Sequence, residues 1–198
     1  MNVQTTRNAL RYFLSPLLVI GLSFGFHHNT RAHEGHAGPP TTFMKTKAAL
    51  KKMLPNDAKI VKRKQPLKKP DIEWAQKTYG VELDKKIYSY YLATDKASGT
   101  VLGAAYVTEV PYRHGDLKIA VGIDADKKIT QAAILGINEK YVVDFEGNVG
   151  TGLIADYAGL PLTDLVAKAK EAASSDKATR EFAAAVRDAA VLLAAFTR

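Results

Sequence analysis

The sequence predicts an α+β domain, in which a small, twisted, mainly antiparallel sheet has flanking helices and the C-terminal helix packs near a glycine-rich ligand loop. Two apolar, strand-like runs, 117–123 and 129–137, flank the turn sequence DADKK, which is the pattern of an antiparallel hairpin. The segment 176–196 has helical periodicity instead. Its apolar residues at helical spacing are Phe182, Val186, Ala189 and Leu193.

The elements before the hairpin are predicted from residues that start or end helices. Thr42 is expected to cap a helix that Pro55 ends, and residues 58–65 are a weak edge-strand candidate. Pro70 and Gly80 bracket a second short helix, because Pro suits a helix start and Gly a C-terminal cap.

Two further strands and one further helix complete the pattern. The runs 86–94 and 100–109 are joined through the turn signal DKASG, so that with the hairpin they give a meander of about four strands. After the hairpin, Thr163 is expected to cap a helix with Leu165 and Ala169 on one side.

The N-terminus has the order of a secretory signal. Arg7 and Arg11 precede an apolar run over 12–26, and the polar residues HHNTRA follow it. We expect residues 1–32 to be a signal peptide cleaved after Ala32, or alternatively an uncleaved anchor, and the protein to be periplasmic or otherwise exported. Residues 33–41 then form a flexible lead-in to a domain over 42–198.

Composition excludes several classes of protein. The 198 residues include no cysteine, which rules out a disulfide framework, c-type haem attachment and cysteine-ligated iron–sulfur clusters. Without the leader, 25 basic and 20 acidic residues leave a net charge of +5. Ten Lys or Arg but only one acid, Asp57, lie between Lys45 and Lys69. This run is either a solvated face or a surface for anionic lipid or an acidic redox partner; no motif for nucleic acid accompanies it.

Two local features point to a ligand, and each also has a purely structural interpretation. Gly147, Gly150 and Gly152 follow the hairpin closely, as in a loop that approaches a ligand or in an ordinary surface turn. The start of the last helix, near Ser174 to Asp176, offers free N–H groups and a positive dipole end that suit a phosphate, as every helix start does.

Several motifs together resemble the FMN-binding domain family, which includes exported flavin subunits of sodium-pumping NADH:quinone reductase and of a related ferredoxin-linked electron-transport complex. The resemblance covers 42 to about 196. The matching motifs are AALKKMLP, YLATDKASGTVLGAAY, HGDLKIAVGIDADKKITQAAIL, Glu139 just after it, and GTGLIADYAG. It implies a sheet that binds FMN and a protein that passes electrons.

The resemblance also suggests cofactor-binding residues. The family has Ser-Gly-Ala-Thr at the start of its last helix, where a flavin transferase can esterify the threonine to the FMN phosphate; this chain has Asp176-Lys177-Ala178-Thr179. Ala173 replaces the acid that the transferase recognises six residues earlier. These departures favour noncovalent FMN, with Thr179 as a phosphate contact beside Ala178 and Lys177.

Other flavin candidates lie on the loops. Gly150, Thr151 and Gly152 belong to the matching GTG motif, and Glu139 aligns with the acid of a Glu-Thr pair in which Lys140 replaces the threonine. His114 and Gly115, at the turn into the hairpin, would approach the flavin edge; a loop histidine is otherwise simply solvated. Outside the resemblance, His33 and His36 in the HEGH tail are a minor metal-binding candidate for copper or zinc.

Two function classes therefore remain open. The first is an exported electron-transfer flavoprotein with noncovalent FMN. The second is a flavin-free interaction module on the same fold, whose basic surface over 45–69 binds a membrane redox complex or the membrane itself. No nucleophile–base pair or closed metal-ligand set indicates a stand-alone enzyme.

Overall fold

The computed structural model describes residues 37–148 and 152–198. The predicted leader, the HEGH tail with His33 and His36, and the loop positions Gly150 and Thr151 lie outside these residues. Those that are described belong to one compact unit.

An antiparallel sheet of seven strands confirms the α+β prediction. The strands are β1 (Pro40–Thr42), β2 (Lys59–Pro66), β3 (Ile87–Thr94), β4 (Val101–Tyr112), β5 (Gly115–Asp124), β6 (Ile129–Asn138) and β7 (Leu153–Ile154). The order across the sheet is β1-β6-β5-β4-β3-β2, and β7 pairs with β6 beside β1. Strands β2 to β6 thus form a simple meander. The predicted hairpin is β5 and β6, and the weak candidate at 58–65 is the edge strand β2.

Helices cover the two faces unequally. The helices are α1 (Thr46–Met53), α2 (Lys69–Tyr79), α3 (Leu162–Glu171) and α4 (Lys177–Thr197). Of the described helices, only α1 packs on one face, where Met53 is buried against alanines of β3 to β6. The other three helices cover the opposite face with the larger core, to which α4 contributes the four apolar residues that its periodicity predicted, all buried.

Helix α4 is fixed at its C-terminal end by the hairpin turn. Lys127, in the β5–β6 turn with φ of 66°, donates from Nζ to the Thr197 carbonyl oxygen at 2.8 Å and to its hydroxyl at 2.9 Å. Because a lysine at a helix C-terminus satisfies free carbonyls and complements the dipole, this contact stabilises the crossing of α4 over the sheet. Nearby, the Phe196 and Tyr90 rings stack at 4.8 Å.

Three local predictions were wrong. Thr42 caps no helix, because it lies in β1 and pairs with Gly136; the helix begins later, after Lys45. Thr163 is inside α3, whose N-cap position is Pro161. The flexible lead-in does not extend to residue 41, since Ala37 is fully buried and Pro40–Thr42 is paired to β6. Over Pro40–Thr42, pairing with β6 decided a boundary that capping propensity placed elsewhere.

Candidate functional site

Asn138 organises the end of the sheet where β4 turns into β5. Its side-chain Oδ1 accepts from the Asp116 N–H at 2.8 Å, and its Nδ2 donates to the Gly38 carbonyl at 2.8 Å. A Cβ on Gly115 would collide with this amide. The glycine in the predicted His114-Gly115 pair therefore has a structural role here, which is to let Asn138 connect β5 to the entry of β1.

Glu139 lies at the same end of the sheet. Its N–H donates to the Pro39 carbonyl at 2.9 Å, and its side chain packs beside Gly38 and is exposed. His114 is exposed in the adjoining β4–β5 turn. The fold thus brings three of the predicted flavin residues, His114, Gly115 and Glu139, to one region.

An aromatic and charged cluster adjoins this region, and sequence reasoning missed it. Tyr112 donates its hydroxyl hydrogen to Asp144 Oδ2 at 2.7 Å, and Arg113 Nε donates to the same oxygen at 2.9 Å. The Arg113 guanidinium lies over the rings of Tyr112 and Tyr141, 5.6 and 5.7 Å from their centroids. Burial, followed by the bond to Asp144, raises the pKa of Tyr112.

Tyr141 contains a buried polar atom without a partner. The residue is 6% exposed, and its ring meets Tyr112 edge to face at 5.8 Å. Its hydroxyl is buried and has no hydrogen-bond partner among the described residues. An unsatisfied buried hydroxyl costs about 1–3 kcal/mol, so this atom is a candidate for a ligand contact. The only sequence signal was its position two residues after Glu139.

The segment 139–148 connects the Tyr141 region with the glycine loop. Glu139–Asn148 consists of two short 3₁₀ turns separated by a kink at Phe145, where φ is −133° and ψ is 27°, and the Phe145 ring packs on Tyr112. Gly152 has φ of 62°, and its carbonyl oxygen accepts a hydrogen bond from the Ile134 N–H at 2.6 Å. A Cβ there would lie 2.5 Å from the Ile134 carbonyl oxygen. Gly152 is thus needed for the close approach of this strand to β6, with or without a ligand.

The predicted phosphate site at the start of α4 already contains an anion. Asp176 is the N-cap: its Oδ1 accepts from the Thr179 N–H at 3.0 Å and its Oδ2 from the Thr179 hydroxyl at 2.6 Å. The hydrogen bonds from Thr179 hold the pKa of Asp176 below its usual range, so the carboxylate is ionised at neutral pH. A phosphate at Thr179 would have to displace it. Ala178 is buried and Lys177 is exposed.

The residues downstream of the glycine loop do reach α4. The Tyr157 ring, in the DYAG motif, meets Phe182 of α4 edge to face at 5.4 Å. This contact supports the predicted packing of the last helix near the ligand loop, although the loop positions 149–151 lie outside the described residues. The described contacts bring Gly115 and Glu139, next to His114 and Asn138 in the chain, to one end of the sheet, while Thr179 is hydrogen-bonded to Asp176 in its own turn.

Basic residues between Lys45 and Lys69 form an exposed surface. All ten Lys and Arg in this range are exposed, and in the described part of the chain only Lys69 forms an ion pair, with Glu73 at 3.5 Å. Lys62 Nζ lies 6.0 Å from the centroid of the Tyr91 ring. This surface is therefore positively charged and largely uncompensated.

The described residues contain neither a metal-binding cluster nor a membrane-spanning helix. Residues 37–148 and 152–198 contain no group of three or more His, Cys, Asp or Glu side chains that is placed to hold a metal ion. Over the same residues, no helix combines the length and the apolar character that a membrane crossing requires.

Comparison with known proteins identifies no relative. No protein-family model matches the chain, and no curated protein and no solved structure is significantly similar to it. The similarity to FMN-binding domains thus remains a prediction from the motifs.

Proposed function

We propose that this protein is an exported electron-transfer protein that binds FMN noncovalently. The buried hydroxyl of Tyr141, which has no partner among the described residues, is the observation that best supports a ligand in the region predicted for the flavin. It lies in the segment between Glu139 and the glycine loop, and the isoalloxazine edge offers donors and acceptors that such a hydroxyl can satisfy.

The residues at this end of the sheet fit the ring of FMN better than its phosphate. Tyr141, Glu139 and the exposed His114 provide hydrogen-bonding groups, and the rings of the Tyr112 cluster give an apolar wall. The bound flavin would supply the redox chemistry, and the protein its position and electrostatic environment.

The phosphate end disfavours a covalent ester. The Asp176 carboxylate accepts the Thr179 hydroxyl hydrogen, and a phosphate would meet its negative charge at close range. Noncovalent FMN is consistent with this geometry and with the altered Asp-Lys-Ala-Thr sequence.

The test of this function is a measurement on protein exported from a host that has the flavin transferase. We expect the purified protein to show flavin absorbance and to release the flavin on denaturation. The intact mass of the polypeptide should then equal that of the chain without FMN. An FMN adduct that persists in the intact mass would show an ester at Thr179 and contradict noncovalent binding. Colourless protein that also fails to bind added FMN would overturn the flavin function.

A second candidate function is an interaction module that needs no flavin. The uncompensated basic surface over 45–69 favours it, because exposed charges of one sign attract an acidic partner or an anionic membrane. Strong binding of colourless protein to such a partner, lost at high salt, would support this alternative.

A further inference from the structure

Strand β2 is an edge of the sheet with an open side. All eight of its residues, Lys59–Pro66, pair with β3, and no described strand pairs with the other side. Helix α1 packs against β4, β5 and β6 on one face, and within residues 37–148 and 152–198 it does not extend over this edge. An edge of this length offers backbone groups for pairing with another chain.

The backbone groups that face outward can be assigned from the ladder. Leu67 N donates to Lys86 O at 3.0 Å, directly beyond the last pair, Pro66 with Ile87. Hydrogen-bonded residues alternate in an antiparallel ladder, so the odd-numbered residues of β2 bond to β3. The N–H and C=O groups of Ile60, Lys62 and Lys64 therefore point away from the sheet.

The charge along this edge selects its partners. Lys59, Lys62, Arg63 and Lys64 are exposed, and none forms an ion pair within the described residues. Such lysines prevent two copies of the edge from pairing, since like charges would face each other. The same charges would attract a strand that carries carboxylates.

A pocket lies beside the end of β2. It has a volume of about 600 Å³ and is lined by residues that include Gln65, Pro66, Lys68, Phe196 and Arg198. Gln65 pairs with Tyr88, whose ring packs on Phe196, so the pocket is on the face that α4 covers. Side chains of an added strand alternate between faces, and those on the α4 side can enter it.

We propose that β2 binds an extended acidic segment of a partner protein by strand addition, with an apolar side chain of that segment in the pocket. The proposal rests on the second candidate function, the basic interaction surface, and is independent of flavin binding. The outward backbone groups and the pocket favour a polypeptide over a lipid surface, because a headgroup layer has neither a strand to pair nor a side chain to insert.

The first test uses an eight-residue peptide of alternating glutamate and leucine, with a lysine–leucine peptide as the control. In the free protein, amide hydrogens of Ile60, Lys62 and Lys64 should exchange rapidly, while those of Val61 and Arg63 are protected by β3. The acidic peptide should slow hydrogen exchange at the amides of Ile60, Lys62 and Lys64 by roughly tenfold or more, and the control peptide should leave it unchanged. Binding without this protection would overturn strand addition.

Variants separate strand pairing from general attraction. The double variant Lys62→Glu/Lys64→Glu should lower the affinity for the acidic peptide by roughly tenfold or more. The control, Lys47→Glu/Lys51→Glu, makes the same charge change on α1 and should have a small effect on that affinity. Lys62→Pro removes one outward donor and should also weaken binding. Equal losses from the two glutamate pairs would overturn the edge site.

Binding to anionic vesicles distinguishes a membrane from an acidic polypeptide as the partner of the basic surface. If vesicles of phosphatidylglycerol bind the protein while the acidic peptide does not, the basic surface serves a membrane and the strand proposal is wrong. Flavin content of the edge variants should equal that of the parent protein. Failure of the edge proposal thus leaves the flavin proposal intact, and failure of the flavin proposal leaves the edge intact.

Discussion

The Thr179 hydroxyl donates a 2.6 Å hydrogen bond to Asp176 Oδ2, within the first turn of α4. The residue that resembles a flavin-phosphate site is thus engaged by the N-cap of its own helix. The carboxylate has the charge and the place that a phosphate would take, because both are stabilised by first-turn N–H groups and the helix dipole. This relationship makes Asp176 the residue to change first.

Replacing Asp176 by Ser should strengthen FMN binding if the phosphate is held at α4. Serine keeps a capping oxygen but removes the repulsive charge, so we expect an affinity gain of roughly threefold to tenfold, measured by quenching of flavin fluorescence. Thr179→Val should weaken binding by about tenfold through loss of a hydrogen bond to a charged group. Asp164→Ser removes one charge in the first turn of α3 and serves as the control. Unchanged affinity in both Asp176→Ser and Thr179→Val would place the phosphate elsewhere.

Removing the Tyr141 hydroxyl should have opposite effects on stability and on binding. Tyr141→Phe deletes a buried hydroxyl that no described residue hydrogen-bonds, so the flavin-free protein should gain about 1 kcal/mol in the free energy of unfolding by urea. FMN affinity should fall, because the proposed ligand contact is lost. Tyr112→Phe is the matched control: it breaks the bond to Asp144 and should lower stability by about 1 kcal/mol. Unchanged FMN affinity in Tyr141→Phe would remove this hydroxyl from the site.

Substitution of Gly152 should damage the fold itself. Gly152→Val places a branched side chain at φ of 62°, with its Cβ 2.5 Å from the Ile134 carbonyl oxygen, and should cost more than about 2 kcal/mol of stability. Gly159 has a similar φ, 79°, but there is open space where a Cβ would lie. Gly159→Ala should therefore cost only about 1–2 kcal/mol of stability. Equal costs in thermal unfolding would contradict the close approach to β6. Flavin loss in Gly152→Val would therefore not identify a flavin contact.

Alkaline stability should depend on Tyr157. Burial, followed by the nearby Asp156 charge, raises the pKa of Tyr157 to about 12, against about 10 in an unfolded chain. Below pH 10 the phenol is neutral in both states. As pH rises from 10 to 12 only the unfolded chain loses this proton, so stability falls by up to about 2 kcal/mol.

Tyr157→Phe should reduce that alkaline loss while leaving stability near neutral pH almost unchanged. Tyr88, whose pKa burial also raises to about 12, should continue to contribute a loss of its own. Urea unfolding at pH 9 and pH 11.5 measures the difference. An identical alkaline decline in the parent and Tyr157→Phe would show that Tyr157 ionises as readily in the folded protein as in the unfolded chain.

Periodicity predicted the elements that propensity and burial determine together. The hairpin of β5 and β6 and the helix α4 were both predicted, because their alternating or helical apolar patterns match the faces that they bury. The Gly80 cap of α2 was predicted from a different local property: its φ of 67° is one that glycine adopts readily. Helix starts at Thr42 and Thr163 were wrong, since capping propensity is weaker than strand pairing or the chain path.

Of the candidate site, the sequence identified His114, Gly115 and Glu139 as separate candidates and had no means of finding the cluster of Tyr112, Arg113, Asp144 and Tyr141. The partners Tyr112 and Asp144 are 32 residues apart in the chain, and only the return of the segment after β6 brings them together. Composition gave the basic run over 45–69 but not its distribution between an exposed helix and an edge strand.

The sequence alone determined the fold class, the meander and the positive charge of one region, because each follows from local pattern or composition. The tertiary structure decided which polar groups have partners. Asp176 occupies the anion position at Thr179, Asn138 fills the space beside Gly115, and the Tyr141 hydroxyl remains unpaired among the described residues. Whether a polar group has a hydrogen-bond partner depends on which distant parts of the chain come within hydrogen-bonding distance of it. No local sequence pattern encodes this.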